Sequence, residues 1–252
     1  MFGAFASRVL ARRAAPVRPL PGEPLFLLPD LHGALPLLQA ALARKAEAFA
    51  PHRLVVLGDM LDRGADSAGV VRCLMGLPEA ICLMGNHEAM LLDVLDDPAR
   101  HGAAWLRHGG LETLLSFGMQ GLPRDAAELA DMAADLRRRM GAAMIGWLRE
   151  RPLYWQSGNV VAVHAGLDPR KALARQSRET LLWGHPAFGR GPRRDGLFVV
   201  HGHSIVPQAR IAEGRLMLDT GAYATGTLSF SVMDPGSVMD SGRADIYSLR
   251  LD

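Results

Sequence analysis

The chain has 252 residues, of which 49% are apolar, so it can bury a sizeable core. Its 28 basic and 26 acidic residues nearly balance, whereas a nucleic-acid-binding domain would carry a basic face or stripe. No stretch has the length of a membrane-spanning helix, and the first residues lack the apolar core of a secretory signal. These features argue against nucleic acid and membrane as partners and predict a cytoplasmic protein.

The first part of the chain alternates between short apolar runs and longer amphipathic ones. Residues 1–24 are rich in proline and arginine and are predicted to form an irregular basic arm. The predicted strands that follow are 25–29, 53–59 and 80–86, and the predicted helices between and after them are 35–49, 68–76 and 87–95. This alternation is typical of an α/β layered sheet.

The middle of the chain, about residues 98–151, has helical composition and few β-branched residues. It is predicted to form a helical insertion over the sheet. Strand-like runs return after Pro152, and glycine-rich turns separate them. The last two runs, 227–233 and 244–251, are expected to be edge strands of a second sheet.

Acidic and imidazole side chains follow several of the apolar runs. The segments are PDLHG (29–33), GDMLDRG (58–64), GNHE (85–88), VHAG (163–166) and VHGHS (200–204). Each segment alone has an ordinary structural explanation, such as Asp62 capping a helix or His164 lying in a core. In open α/β sheets, however, functional groups gather outside the carboxyl ends of the strands. The five segments together therefore predict one shared site.

The side chains of these segments mix carboxylate and amide oxygens with imidazole nitrogens. This mixture suits Mn²⁺, Fe or Zn²⁺ and differs from the all-oxygen sites of Ca²⁺ and Mg²⁺. Two ions that lie about 3.5–4 Å apart can clamp the attacking and leaving oxygens of a displacement together. Such a pair needs a bridging carboxylate, and Asp59 is central in the series.

The five ordered motifs, spread between Leu25 and Gly226, resemble those of the PPP-type serine/threonine protein phosphatases. These belong to the calcineurin-like metallophosphoesterase superfamily, and the resemblance is to its compact bacterial and phage-type branch. It implies an α/β fold of two packed mixed β-sheets flanked by helices, as one domain over residues 25–252. It also implies two divalent metal ions, with Mn²⁺ as first choice and Fe or Zn²⁺ as alternatives, and hydrolysis of phosphate monoesters by a hydroxide that bridges them.

The same resemblance assigns roles to individual residues. It implies that Asp30 and His32 bind the first metal, that Asp59 bridges, and that Asn86, His164 and His203 bind the second. His87 is implied as the general acid that protonates the leaving alkoxide, with Asp62 orienting its imidazole. Arg63 is implied as a substrate-binding clamp on the phosphoryl oxygens, because its planar fork of donors suits two oxygens at once.

The chain departs from the family pattern at a few positions. Pro29 stands where a glycine usually precedes the first aspartate, and Ile205 stands where many superfamily members carry a further histidine ligand. The second departure favours the protein-phosphatase-like branch and leaves His201 without an assigned role. The second phosphate-binding arginine is not identified. Its candidates are Arg178, Arg190, Arg193 and Arg194, with His185 as a possible replacement.

Three functions remain open on the sequence. The intact DRG and GNHE motifs favour a phosphatase acting on phosphoserine or phosphothreonine in proteins. A symmetrical diadenosine-tetraphosphate hydrolase, or another nucleotide hydrolase, shares the fold and is the alternative. A metal-binding recognition module without activity would be signalled by a missing residue, and none of the expected ones is missing. The expected partner is therefore a phosphoprotein or a small phosphate ester, with Tyr223 expected near the rim of the site.

Overall fold

The computed structural model of the chain describes residues 17–191, 193–235 and 244–251. Two five-stranded sheets lie within them. The first contains β1 (Leu25–Leu28), β2 (Arg53–Val56), β3 (Ile81–Cys82), β9 (Thr227–Met233) and β10 (Asp245–Arg250). The second contains β4 (Tyr154–Ser157), β5 (Val160–Val163), β6 (Phe198–His201), β7 (Arg210–Ala212) and β8 (Arg215–Met217).

The helices occupy most of the remaining chain. They are α1 (Leu35–Ala48), α2 (Ser67–Met75), α3 (Asn86–Asp96), α4 (Pro98–Trp105), α5 (Leu111–Ser116), α6 (Ala126–Arg149), α7 (Arg178–Trp183) and α8 (Ala222–Thr225). A π-helical turn at Leu106–Gly110 joins α4 to α5. The middle of the chain is therefore helical, as predicted. Within the described residues, no helix is both long and apolar enough to cross a membrane.

Both sheets are mixed, and each contains three adjacent parallel strands. In the first, β1, β2 and β3 are parallel, and β9 and β10 add antiparallel strands beyond β1. In the second, β5, β6 and β8 are parallel, and β4 and β7 are antiparallel edges. The carboxyl ends of the parallel strands in each sheet consequently lie at one edge, where ligand sites of such sheets form.

The side chains of β1 show how the layers form. Leu25 and Leu27 face the second sheet, where they pack against its apolar inner face. Phe26 and Leu28 face the helices, in a core that extends to α1, α2, α3 and the helical insertion. Since successive side chains of a strand point to opposite faces, an apolar run of this kind is buried on both sides. The order of layers is helices, first sheet, second sheet and then α7, which packs outside the second sheet.

The structure corrects one expectation about the sheets. Residues 227–233 and 244–251 do not edge the second sheet, because β9 pairs with β1 and β10 pairs with β9. The ring of Phe230 in β9 stacks between Phe26 at 4.7 Å and Tyr247 at 4.9 Å, measured between centroids. Burial of this ring against the helical layer places β9 inside the first sheet.

Several predicted boundaries also change. β3 has only two residues where seven were predicted, since α3 begins at Asn86. β4 and β7 were not predicted, because both are short edge strands without a buried apolar run. Residues 1–16 of the predicted arm lie outside the described part of the chain, and residues 17–24 contain neither helix nor strand. The domain boundary at residue 25 stays a prediction.

We expect Phe230→Ala to lower the free energy of unfolding by about 3–5 kcal/mol, because it leaves a cavity where a fully buried ring packed. Leu122→Ala is the control, since the Leu122 side chain is 61% exposed and its loss should cost less than about 0.5 kcal/mol. Urea unfolding followed by circular dichroism measures both values. Equal losses in the two variants would show that β9 is not packed as described.

Candidate functional site

The loops after β1, β2, β3, β5 and β6 bring the predicted site residues together at one end of the two sheets. Most of these side chains are buried, and only Arg63 and His203 are partly exposed. The contacts described below connect Asp30, His32, Asp59, Asp62, Arg63, Asn86, His87, His164 and His203 into one cluster.

The backbone of these loops is strained. Among the described residues, six that are not glycine have a positive φ, and five of them are predicted site residues: His32 (42°), Asp59 (46°), Asp62 (70°), Arg63 (66°) and His203 (62°). Such conformations cost about 1–3 kcal/mol each and persist only where the surroundings impose them. Their concentration in one cluster indicates that the loops are held in place for a function.

A buried carboxylate fixes the loop after β2 against the start of α3. Glu88 is fully buried and accepts hydrogen bonds from the backbone N–H groups of Gly85 (2.8 Å), Asp59 (2.9 Å) and Met60 (2.8 Å). Burial raises the pKa of Glu88 to about 7, against the lowering effect of these bonds. In return, the Asp59 carboxylate accepts the backbone N–H of His87 at 3.0 Å. The GNHE motif contains Glu88, but the sequence did not indicate this role.

Asp59 is shared by two groups of side chains that could hold a metal ion. One group is His32, Asp59 and His87, the other is Asp59, His164 and His203, and within each the ligand atoms lie within 4.8 Å of one another. Oδ2 of Asp59 lies 3.5 Å from Nε2 of His32, and Oδ1 lies 3.5 Å from Nε2 of His164. The two oxygens of one carboxylate thus face different histidines, which is the arrangement that a bridging ligand requires.

The histidines of the cluster present lone pairs. The Nδ1–H of His32 donates to the carbonyl of Leu61 at 2.8 Å, and that of His164 donates to the carbonyl of Leu57 at 3.0 Å. Burial lowers the pKa of His32 to about 3 and that of His164 well below its usual value, so both rings are neutral. Their Nε2 atoms are therefore unprotonated. Histidines that bind metals almost always donate their other N–H in this way.

The contacts of Asn86 indicate that its side-chain oxygen suits a metal ion. Its Oδ1 lies 2.8 Å from Nε2 of His164 and 3.0 Å from Nδ1 of His203. Nε2 of His164 carries a lone pair, so it and the amide oxygen are two hydrogen-bond acceptors that face each other with no proton between them. A cation between them would satisfy both atoms, so these residues fit a metal ion.

Asp30 belongs to the cluster but lies outside the two groups. Its carboxylate accepts the backbone N–H of His203 at 3.0 and 3.1 Å. Burial and the charge of Asp219 raise the pKa of Asp30, and burial and the charge of Asp30 raise the pKa of Asp59. Buried carboxylates that repel each other are stabilised by a nearby cation, which again fits a metal centre.

The third part of the cluster joins His87 to Asp62 and Arg63. The Nδ1–H of His87 donates to Oδ2 of Asp62 at 2.8 Å, and the guanidinium of Arg63 donates to Nε2 of His87 at 3.0 Å. Burial and the charge of Arg63 lower the pKa of His87 to about 3, so the ring is neutral. Tyr223 lies at the rim, with its hydroxyl 3.4 Å from Nη1 of Arg63 and its ring 5.1 Å from that of His32.

The helical insertion holds this part of the cluster. Thr113 donates its hydroxyl to Oδ1 of Asp62 at 2.6 Å, and the indole N–H of Trp105 donates to Oδ2 at 2.8 Å. Burial raises the pKa of Asp62 to about 8, although these two bonds lower it. The backbone N–H of Arg63 donates to the carbonyl of Gly109 at 3.0 Å. A Cβ at Gly109, where φ is 104°, would lie 2.6 Å from the Arg63 side chain, so only glycine fits.

The sequence did not indicate that Trp105 and Thr113 contact Asp62. The available signal was the glycine pair at 109–110 within a helical run, because glycine inside a helix often has a packing reason. His201 donates its Nδ1–H to the carbonyl of Gly202, and within the described residues its side chain makes no hydrogen bond to the cluster.

Three candidates for a second phosphate-binding group contact residues outside the cluster. Arg193 is buried and bonds to the carbonyls of Asp168 and Lys171, and Arg178 donates to the sulfur of Met84. His185 faces Asp168 at 3.7 Å. Within the described residues, no hydrogen bond or ion pair joins any candidate to the cluster. The candidates are Arg178, His185, Arg190, Arg193 and Arg194.

Comparison with known proteins places this cluster in a family context. Residues 24–224 match the calcineurin-like phosphoesterase family. The symmetrical bis(5'-nucleosyl)-tetraphosphatase of Dechloromonas aromatica is 30% identical over 182 residues, which cover 65% of this chain and 57% of that protein. Serine/threonine-protein phosphatase 2 of Salmonella typhimurium is 25% identical over 218 residues, which cover 82% of this chain and 91% of that protein. The chain spans about half the length of the tetraphosphatases that it matches.

Solved structures share the fold. A crystal structure provisionally named a diadenosine tetraphosphatase is 24% identical, with a TM-score of 0.64 over 93% of this chain and 97% of that one. A protein serine/threonine phosphatase from Saccharomyces cerevisiae is 16% identical, with a TM-score of 0.58 over 92% and 81% of the two chains. The predicted fold of two packed mixed sheets flanked by helices is confirmed. Since the matched residues contain the whole cluster, the chain belongs to the calcineurin-like phosphoesterase family.

Proposed function

We propose that the protein hydrolyses phosphate esters at a centre of two divalent metal ions. The observation that carries the proposal is the position of Asp59, whose two carboxylate oxygens face His32 on one side and His164 on the other. When bound, two such ions would activate water and neutralise phosphoryl oxygens. Asp30, His32 and Asp59 would hold one ion and Asp59, Asn86, His164 and His203 the other, with Mn²⁺ as first choice and Fe or Zn²⁺ as alternatives.

The residues around His87 would serve the leaving group. His87 would donate a proton from Nε2 to the leaving oxygen, and Asp62 would hold the imidazole through Nδ1. In the free protein Arg63 donates to that Nε2, so the atom carries no proton there. A phosphoryl group that takes over the donors of Arg63 would leave Nε2 free to carry one. Arg63 would then clamp two phosphoryl oxygens, as its geometry allows.

Two substrate classes are supported about equally. Phosphoserine or phosphothreonine in proteins is supported by the Salmonella phosphatase, which aligns over 91% of its length. A dinucleoside tetraphosphate is supported by several tetraphosphatases at about 30% identity over part of their length. A metal-binding module without activity is the remaining alternative. The gathering of all the predicted metal ligands in one cluster, together with Asp62, Arg63 and His87, supports an enzyme instead.

We expect Asp59→Asn to reduce the bound metal from about two ions per chain to fewer than about one, because the bridge serves both ions. Turnover should fall with the metal content, and a chelator should abolish turnover of the unchanged protein. Plasma mass spectrometry measures the metal, and the exposed Asp131→Asn is the matched control. Two tightly held ions in Asp59→Asn would contradict the assignment of the bridge.

His87→Asn should keep its metal while turning over substrates more slowly. The loss should be about 10²–10⁴-fold for an alkyl ester such as phosphoserine, whose leaving alkoxide needs a proton. It should be much smaller for an aryl phosphate, because a phenolate leaves without one. His164→Asn, in comparison, should lose metal and slow both substrates together. Equal losses on both substrates for His87→Asn at full metal occupancy would rule out its role as the acid.

Thr113→Val should weaken the support of Asp62. It removes a hydroxyl donor from a buried carboxylate, so the free energy of unfolding should fall by about 1–3 kcal/mol. Turnover of the alkyl ester should also fall more than that of the aryl phosphate, and Thr113→Ser should restore both properties. Thr180→Val is the control, since within the described residues the Thr180 hydroxyl bonds to the neutral hydroxyl of Ser177 and to no charged group. A loss of stability without any dependence on the leaving group would mean that Thr113 serves the fold alone.

A further inference from the structure

A cavity of about 720 Å³ opens beside the cluster, on the side of the second sheet. Its wall includes His203, so it is continuous with the proposed metal centre. From there it extends along α7 and the following loop, past Trp183 and Phe188, to Arg210 on the edge strand β7. Pockets that bind small molecules have volumes of about 300–1,000 Å³. The proposed hydrolysis of a simple phosphate ester does not use this cavity.

The aromatic wall of the cavity provides a stacking surface. The indole of Trp183 is 48% exposed, although exposing so large an apolar group is unfavourable, and its ring lies 6.2 Å from that of His203. Phe188 lies behind, held between the guanidinium of Arg215 at 5.2 Å and the ring of His201 at 5.0 Å. A half-exposed indole within reach of a metal ligand is suited to a flat ring carried by the substrate itself.

The charge at the far end of the cavity is positive. Glu213 is paired with Arg215 at 3.2 Å, so its charge is already compensated. Arg210 is exposed and has no ion pair within the described part of the chain. This unpaired charge favours an anionic group such as a phosphate.

We propose that this cavity binds a nucleoside with its attached phosphates, on the far side of the scissile phosphorus. The inference rests on the proposed phosphoesterase function and favours dinucleoside polyphosphates over phosphoproteins. The base would stack on Trp183, and Arg210 would bind a phosphate that is not attacked. A phosphopeptide that binds through its phosphorylated side chain would need neither the aromatic platform nor the unpaired arginine.

The test compares substrates with and without a nucleoside. Wild type, Trp183→Ala and Arg210→Ala are assayed with diadenosine tetraphosphate, a phosphoserine peptide and p-nitrophenyl phosphate, all with Mn²⁺ supplied. Because the exposed indole would stack on the base, Trp183→Ala should lower kcat/KM for the dinucleotide by about 5- to 150-fold. Arg210→Ala should also lower it, mainly by raising KM. Neither variant should change p-nitrophenyl phosphate turnover more than about twofold, since that substrate does not reach the cavity.

The controls separate stacking and charge from damage to the fold. Trp183→Phe keeps a flat ring and should retain most of the dinucleotide activity. Ile211→Ala lies on β7 next to Arg210 but does not line the cavity, and Arg250→Ala removes an exposed arginine from the first sheet. Both should behave as wild type with all three substrates.

Each of the other outcomes would refute either the nucleoside site or the proposed phosphoesterase function. If Trp183→Ala slows all three substrates equally, or none, the cavity is not a nucleoside site. If only phosphopeptide turnover falls, the cavity binds a peptide and the inference is wrong. A wild-type protein that cleaves p-nitrophenyl phosphate but not the dinucleotide would refute the nucleoside site and leave the phosphoesterase standing. A metal-loaded wild type that cleaves none of the three would refute the proposed function itself.

Discussion

The buried carboxylate of Glu88 is the constraint on which the proposed centre depends. It accepts three backbone N–H groups, two from the turn after β2 and one from the turn before α3. Burial of a carboxylate without such bonds would cost too much free energy. Without the carboxylate, the buried N–H groups of the two turns would have no hydrogen-bond acceptor. Because the Glu88 carboxylate bonds to both turns at once, it holds Asp59 beside Asn86 and His87, although these residues belong to different loops. In this position the Asp59 carboxylate lies close to both His32 and His164.

The helical insertion completes what Glu88 begins. Asp62 and Arg63 both have left-handed backbone conformations, which a free loop would relax. Bonds from Trp105 and Thr113 hold the Asp62 side chain, and the carbonyl of Gly109 holds the Arg63 backbone. The insertion therefore connects the helical layer to the sheet edge and gives His87 a rigid partner. An active site needs this kind of support, because its side chains must be held within a narrow range of positions.

The residues suited to the hydrolysis differ from those that could select the substrate. Neutral histidines and mutually repelling carboxylates make the interior of the cluster suitable for cations, and this property is common to enzymes that act on different phosphate esters. The groups that could distinguish those esters lie outside it, on α7, the loop that follows and β7. Such a division is consistent with the similarity of this chain both to a tetraphosphatase and to a protein phosphatase.

Local sequence determined the alternation of strands and helices, the helical insertion and the types of possible metal ligand at the strand ends. Each of these depends on the pattern of residues that are close together along the chain. The tertiary structure decided which strands pair. β9 lies beside β1, and β4 and β7 form where no apolar run marks them. It also decided that Trp105 and Thr113, 43 and 51 residues from Asp62, would hold that side chain. Strand pairing and buried hydrogen bonds of this range depend on how complete layers pack, and no local pattern specifies them.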